Sequence, residues 1–384
     1  MSTPVLVIFL AGYLLLCAYV CMRGAQALRA HRLLLVCWLA CVPVLCGGFF
    51  AGIALGETRV LGFFPGHWLR GIGVTWLVTL PYWVIAAVFW DVLRFAGKRW
   101  HFFPSRAGGR CARAGLFAFA GTIVVVACVF GVGYLNFLHP QTTVLRVKID
   151  KPPGGARAGP GKTLRIAAAS DLHLGDIIGS RHLKEYVGRI NALEPDIILL
   201  LGDIIDRNVS SLENRNMGVE FEKLRARLGV YAVVGNHEGF MNVRRSIDFF
   251  EKHGVRVLHD EVRLLDNGAF YLAGRADNRR GRKTLGELLA GVERARPLIL
   301  MEHQPRNLGD SAAAGVDLQL SGHTHAGQIW PVTWLVRFFH EVSYGYARKG
   351  DFQIYVTSGL GLWGFPARIG SKSEIVDITV EFAE

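Results

Sequence analysis

Four long apolar stretches occupy the first 140 residues of this 384-residue chain, and they limit what it can fold into more than any other feature. Each is about as long as a bilayer-crossing α-helix, which needs roughly 20 apolar residues. None of the four contains Asp, Glu, Lys, Arg or His. The sequence therefore predicts four transmembrane helices within residues 1–137, at about 4–22, 33–55, 71–90 and 115–135.

The first stretch has no basic start and is longer than the apolar core of a signal peptide, so we interpret it as a retained helix. The net charge of +12 is concentrated in the same half of the chain. Residues 1–140 hold eleven Lys or Arg and two acidic residues, whereas the rest has 32 basic and 29 acidic residues. The basic excess thus belongs to the loops between the helices, and we predict no nucleic-acid partner.

The distribution of this charge predicts an orientation. The loops after the first and third stretches hold nine Lys or Arg residues, whereas the middle loop holds two, beside Glu57. Positively charged loops stay in the cytoplasm. The sequence therefore predicts a multi-pass protein of the plasma (inner) membrane, with everything after residue 140 extracytoplasmic. All seven cysteines precede residue 129, which is compatible with that placement.

The second half of the chain has a different pattern. A strand and a Pro/Gly-rich linker are predicted over 138–163. From 164 to 384, buried strands alternate with helices, which is typical of a layered α/β domain. Helices are predicted at 181–193, 212–228, 243–254 and 284–294, and an Asn-Gly hairpin turn at Asn267–Gly268.

Five predicted strands end in Asp, Asn or His side chains. Because loops at the carboxyl ends of parallel strands converge, these side chains are expected to meet. Within each pair two residues apart, both side chains should face one way if the backbone is extended. The residues are Asp171, His173, Asp203, Asn236, His303, His323 and His325.

Carboxylates combined with imidazoles favour divalent Mn, Fe or Zn over Ca or Mg. Taken singly, Asp203 is more often a turn or helix cap, Asn236 a turn residue, and His303 a hydrogen-bonded core histidine. Seven residues in this order exceed what one ion needs, whereas two ions that share a carboxylate would use them all. Such a pair lowers the pKa of a bridging water and suits hydrolysis of a phosphoester. The histidines outside the pattern are interpreted as surface or packing residues: His139, His182, His253, His259 and His340.

The motifs DLH (171–173), GDIID (202–206), GNHE (235–238), EH (302–303) and GHTH (322–325) resemble the calcineurin-like metallophosphoesterase family. AGQ at 326–328 and Ser-Gly-Leu-Gly at 358–361 are similar to its membrane-associated bacterial branch. The resemblance spans about 142–384 and implies a four-layer αββα sandwich over 164–384.

The resemblance also implies roles for individual residues. The first metal would be held by Asp171, His173, Asp203 and His325, and the second by Asp203, Asn236, His303 and His323, so that Asp203 bridges the two ions. His237 would stabilise the transition state or protonate the leaving group. Asp206 and Glu238 would orient the residues that hold the metals.

The predicted function is that of a membrane-anchored, metal-dependent phosphatase that hydrolyses a phosphomonoester, phosphodiester or pyrophosphate. An aromatic-rich segment, 328–350, either packs in the core or forms a lip that faces the bilayer, and a lip predicts a lipid-linked substrate. A transporter is disfavoured because the apolar stretches lack ionisable residues. The remaining alternative is a catalytically weak metal-binding protein that acts as a signalling or scaffold module.

Overall fold

The computed structural model describes residues 3–55, 59–60, 64–99, 108–155, 163–175, 177–240, 242–277 and 281–383. The chain divides into two compact units, Met1–Gly131 and Val132–Glu384. Part of the predicted Pro/Gly-rich linker, 156–162, lies outside the described residues.

The first unit confirms the prediction of four long apolar helices. Each is long and apolar enough to cross a membrane, and the apolar side chains along them are largely exposed, as in helices that face lipid. A two-stranded hairpin, β1 (Arg59–Val60) and β2 (Phe64–Pro65), precedes the third helix. The helices are α1 (Thr3–Leu28), α2 (Arg32–Leu55), α3 (Gly66–Arg99) and α4 (Gly108–Leu138), the last of which continues into the second unit.

These helices extend beyond the apolar stretches, and the extensions bring polar groups together. Arg23 of α1 lies 2.5 Å from the carboxylate of Asp91 in α3. The hydroxyl of Tyr19 donates to the same carboxylate at 2.7 Å. A charged side chain in an apolar region is tolerated when a partner neutralises it. The contact therefore links α1 to α3 while it compensates the charge of Asp91.

The second unit contains two six-stranded sheets. In the first sheet, four neighbouring strands run parallel and lead towards the functional residues. Its order is β3 (Gln141–Ile149), β14 (Glu374–Phe382), β4 (Thr163–Ala169), β5 (Ile197–Leu200), β6 (Val230–Ala232) and β7 (Val255–Val257), of which β4 to β7 are parallel.

The second sheet repeats this arrangement with antiparallel strands at its edges. Its order is β12 (Gly345–Lys349), β13 (Phe352–Val356), β11 (Leu318–Ser321), β10 (Leu298–Met301), β9 (Phe270–Gly274) and β8 (Glu261–Leu265), of which β9, β10, β11 and β13 are parallel.

Alternating side chains on the central strands create the layers. On β5, Leu199 faces an apolar core between the two sheets, whereas Leu200 faces the helices outside the first sheet. On β10, Ile299 faces the inner core and Leu300 faces the outer helices of the second sheet. Helices thus cover both outer faces, and the predicted αββα sandwich is confirmed. These helices are α5 (Ser180–Asn191), α6 (Val209–Asn214), α7 (Gly218–Phe221), α9 (Val243–Lys252), α10 (Leu285–Leu288) and α11 (Leu308–Ala313).

Two predicted helices are shorter than the sequence indicated. The helix predicted over 212–228 is wrong as a single element, because α6 and α7 are separated by Asn216 with a left-handed φ of 51°. The helix predicted over 284–294 is limited to the single turn of α10. Gly286 and Gly291 lie in that segment, and glycine disfavours helix continuation. The hairpin at Asn267–Gly268 is confirmed, since β8 and β9 pair antiparallel across it.

Candidate metal centre

Polar side chains gather where the parallel strands of the two sheets end. The first sheet contributes the loops after β4, β5 and β6, and the second sheet those after β10 and β11. In the described part of the chain, three overlapping groups have ligand atoms within 4.8 Å of one another. They are Asp171, His173 and His325; His173, Asp203 and His237; and Asp203, His303 and His323.

The first group joins loops from opposite sheets. The Nε2 atoms of His173 and His325 lie 3.1 Å apart. The Nε2 of His325 lies 3.4 Å from Oδ1 of Asp171, and that of His173 lies 3.9 Å from the same oxygen. Two imidazole nitrogens and a carboxylate oxygen therefore converge on one small volume, and all three side chains are buried.

The second group lies on the other side of Asp203. His303 donates from Nδ1 to the carbonyl of Leu201 at 2.7 Å, which leaves its Nε2 facing the Asp203 carboxylate at 3.2 Å. A hydrogen bond of this type fixes the tautomer and presents the other nitrogen for metal binding. The rings of His303 and His323 lie edge to face, 5.2 Å apart.

Asp203 lies between the two groups. Its Oδ2 is 3.2 Å from His303 and 3.9 Å from His173, while its Oδ1 accepts the backbone N–H of His237 at 2.8 Å. The last contact also draws in the loop that carries Asn236. One carboxylate shared by both groups is the arrangement that a bridging ligand requires.

The backbone reaches this geometry through left-handed conformations that the sequence did not reveal. Non-glycine residues rarely adopt positive φ, and each instance carries strain. The expectation that residues two apart face one way on an extended strand is therefore wrong. His323 joins the second group and His325 the first. Positive φ occurs at Asp171 (53°), His173 (46°), Asp203 (49°), His323 (70°) and His325 (51°).

Contacts between loops hold these conformations. The backbone N–H of Asp171 donates to the carbonyl of Gly202 and that of His173 donates to the carbonyl of Asp203, both at 3.0 Å. Gly322 is needed for close approach, because a Cβ there would collide with the Ser170 hydroxyl and lie 2.5 Å from Oδ2 of Asp171. The ligand loops are thus packed against one another at backbone level.

Electrostatics favours a cation at this site. Burial disfavours a charged imidazole at His303, but the Asp203 and Asp171 carboxylates outweigh it and raise the pKa of His303 to about 10. Burial lowers the pKa of His323 to about 3 and that of His325 well below its ordinary value. The last two rings are therefore neutral at pH 7, which is the state that binds a metal.

Two buried atoms fit a metal better than a dry interior. Oδ1 of Asn236 and Nε2 of His303 are buried and make no hydrogen bond to any described residue. Buried polar atoms are otherwise almost always bonded. An amide oxygen and an imidazole nitrogen beside carboxylates form a donor set suited to Mn, Fe or Zn. The residues present therefore fit the divalent ions that the sequence predicted.

Glu238 supports the ligands without facing the metal groups. Its side chain accepts backbone N–H groups from Asp203 at 3.1 Å, Ile205 at 2.8 Å and Gly235 at 2.8 Å. Three donated N–H groups favour the ionised carboxylate, although burial raises the pKa of Glu238. Glu238 thereby ties the loops after β5 and β6 together.

His237 and Asp206 lie at the more open side of the site. His237 is half-buried and donates from Nδ1 to the backbone carbonyl of Asp206 at 2.7 Å. The Asp206 carboxylate lies 3.5 Å from Nδ1 of both His237 and His173. Asp206 thus contacts one predicted metal ligand and the predicted catalytic histidine.

His340 and Phe240 were not recognised from the sequence as residues of the site. The ring of His340, predicted to be a surface or packing residue, lies 6.2 Å from that of His323. Phe240 is 82% exposed, and its ring lies 6.3 Å from that of His237. No local pattern marks either residue, because both reach the site only through tertiary packing.

The aromatic-rich segment is exposed. It contains α12 (Val332–Leu335) followed by a short 3-10 helix, Val336–Phe338, and none of these residues is buried. Trp334 is 57% exposed and Phe339 is 81% exposed. Their exposure contradicts the alternative that this part of the segment packs in the core.

Comparisons with known proteins identify related sequences. A family model described as calcineurin-like phosphoesterase matches residues 164–327. An uncharacterized metallophosphoesterase of Aquifex aeolicus is 33% identical, over 64% of this chain and 95% of the relative. A Danio rerio protein named "Transmembrane protein with metallophosphoesterase domain" is 28% identical, over 92% of this chain and 81% of the relative. An uncharacterized metallophosphoesterase of Helicobacter pylori is 28% identical, over 85% and 87% respectively.

Glu238→Gln is expected to lower the free energy of unfolding of the metal-free protein by about 2–4 kcal/mol. The amide has one acceptor oxygen, so at least one buried N–H loses its acceptor, at a cost of about 1–3 kcal/mol each. Denaturant unfolding in EDTA measures the change. Glu213→Gln, an exposed residue paired with Arg245, is the matched control. Equal stabilities for both variants would show that Glu238 does not hold the ligand loops.

Proposed function

Since the chain belongs to the calcineurin-like metallophosphoesterase family and is a metal-dependent phosphoester hydrolase, we propose that it uses two divalent metal ions to cleave lipid-linked phosphoesters. The observation that carries the metal pair is the position of Asp203 between two groups of buried ligands. The family and the four apolar helices make the chain a membrane-associated hydrolase. The number of ions, the substrate and the orientation are the proposal.

The assignment of residues follows the two groups. Asp171, His173 and His325 would hold one ion, and Asn236, His303 and His323 the other, with Asp203 contributing to both. When bound, such a pair supplies positive charge for the phosphoryl oxygens and lowers the pKa of a water between the ions.

His237 is the residue suited to transfer a proton. Its Nδ1 is engaged by the carbonyl of Asp206, so its Nε2 is left to meet the substrate. A histidine so oriented can donate a proton to the departing alkoxide oxygen. Asp206 would keep the ring in that orientation.

Exposed aromatic residues support a lipid-linked substrate. Phe240 lies next to His237, and Phe339 immediately precedes His340, which contacts His323. Apolar side chains from two separate elements thus border the predicted ligands. Aromatic and apolar side chains at this density bind the interface of a bilayer, where they bury apolar area.

The connection to α4 adds to this support. Ile329, at the start of the aromatic segment, pairs with Ile369, and the neighbouring Arg368 hydrogen-bonds to Gly133 of α4. Since α4 is apolar enough to cross a membrane, we propose that the segment meets the same bilayer. The distribution of Lys and Arg supports an inner-membrane protein whose second unit is extracytoplasmic.

Asp203→Ala is expected to abolish hydrolysis, with a fall in kcat/KM of roughly 1,000-fold or more, because the loss of a shared metal ligand removes several kcal/mol of transition-state stabilisation. The assay is hydrolysis of a generic aryl phosphodiester by purified full-length protein in detergent, with bound metal measured by mass spectrometry. Asp248→Ala, an exposed residue of α9, is the control. A wild-type protein that binds metal but hydrolyses no phosphoester would instead favour the signalling or scaffold alternative.

The variant Trp334→Ala/Phe339→Ala is expected to reduce hydrolysis of lipid-linked phosphoesters in vesicles by about tenfold, since each ring contributes on the order of 1 kcal/mol of interfacial binding. Hydrolysis of the soluble aryl substrate should not change. Leu264→Ala removes a similarly exposed apolar side chain from edge strand β8 and serves as control. Unchanged turnover of the lipid substrate would contradict the proposed lip.

An introduced cysteine at Asp351 should react with a membrane-impermeant maleimide in intact cells, because Asp351 is 98% exposed and lies in the unit predicted to be extracytoplasmic. A cysteine at Arg29, in the loop after α1, should react only after lysis. The wild-type chain has no cysteine after residue 128 and provides the background. The opposite labelling pattern would reverse the proposed orientation.

A further inference from the structure

Arg368 is a charged side chain with no exposed surface. Its hydrogen bonds to described residues all go from the guanidinium to backbone carbonyls. The acceptors are Gly359 at 3.0 Å, Gly361 at 3.1 Å and 2.5 Å, and Lys372 at 3.2 Å. A buried charge is costly unless its surroundings compensate it. The planar fork of arginine suits several carbonyls at once, which the compact ammonium of a lysine does not.

The carbonyls that Arg368 binds belong to a loop that packs against a predicted metal ligand. In that loop, Leu360 donates its backbone N–H to the carbonyl of Ser170 at 2.8 Å, and Gly361 donates to the carbonyl of Asp171 at 2.9 Å. Gly359 has a φ of 81°, and a Cβ there would lie 2.8 Å from Cβ of Asp171. The Ser-Gly-Leu-Gly motif at 358–361 thus lies directly behind Asp171.

The charge of Arg368 also affects this ligand. Burial lowers the pKa of Arg368 to about 10, and the Asp171 carboxylate opposes that change. The guanidinium therefore remains charged at neutral pH. Because the interaction is mutual, a buried cation on this side of Asp171 favours the ionised carboxylate that binds a metal.

On its other side, Arg368 contacts the end of α4 within the second unit. Its backbone N–H donates to the carbonyl of Gly133 at 2.8 Å, and its carbonyl accepts the side-chain amide of Asn136 at 3.1 Å. Gly133 permits close approach, since a Cβ there would lie 2.7 Å from the side chain of Ile369. One residue therefore contacts both the loop behind Asp171 and the last turns of a membrane-spanning helix.

We propose that Arg368 is a positioning residue of the metal centre, which holds Asp171 in place through the 359–361 loop and ties that ligand to the end of α4. This inference rests on the proposed two-metal function. It assigns to Arg368 an effect on one ion, the ion held by Asp171, His173 and His325. The ion held by Asn236, His303 and His323 has no such contact with the loop.

The test is a titration of Mn²⁺ against a competing chelator, with full-length protein in detergent. His325→Ala and His323→Ala identify which binding step belongs to which group of ligands. Arg368→Met is expected to weaken the first group's ion by about 10–100-fold, the usual effect of losing a residue that orients a ligand. The other ion should stay within about twofold of the wild-type affinity.

Two further variants sharpen the test. Asn136→Ala removes only the side-chain contact from α4 and should weaken the same ion by a smaller factor. Arg165→Met removes an arginine of β4 that binds Asp377 through two hydrogen bonds, and it should change neither affinity. This control lies on the strand that leads to Asp171, so it reports general damage to that strand.

Wild-type affinity for both ions in a folded Arg368→Met protein would overturn the proposal, as would equal weakening of both. If Arg368→Met does not fold, Arg368→Lys keeps the charge without the fork. Unchanged affinities in Arg368→Lys and Asn136→Ala would then overturn it. A wild-type protein that binds fewer than two ions would contradict the proposed function itself, so the two failures are distinguishable.

Discussion

The metal centre depends on backbone hydrogen bonds between loops that come from different strands. The ligands are short, buried and in left-handed conformations, so none of them keeps its position by itself. The carbonyls of Gly202 and Asp203 hold the DLH loop, and the Glu238 carboxylate holds the loops after β5 and β6. Because every ligand is fixed by another loop, the two sheets must be packed before the metal groups exist.

The apolar half and the metal centre place different demands on the chain, and a few residues serve both. The membrane helices expose apolar surface that only lipid can cover. The aromatic segment does the same in the second unit, beside His340 and the predicted metal ligands. A hydrolase with exposed aromatic residues beside its metal site is suited to substrates whose phosphate lies at a membrane surface.

The sequence predicted the type of each layer because the signals are local. Apolar length indicated the four helices, and alternating side chains such as Ile198 and Leu199 indicated strands buried on both faces. It overestimated the helices near Asn216 and Gly291, where a left-handed residue and a flexible glycine interrupt a polar, helical-looking pattern. The site residues were recognised by their order along the chain, but His340, Phe240 and Arg368 carry no such signal.

By itself, the sequence determined that the chain has a membrane half and a layered α/β half, and it identified the side chains able to bind metals. These features follow from residue type and spacing, which are local properties. Only the tertiary structure decided that His323 and His325 separate into different groups, that Asp203 lies between them, and that Arg368 connects Asp171 to α4. The physical reason is that left-handed backbone and contacts across two sheets depend on packing between residues far apart in the chain.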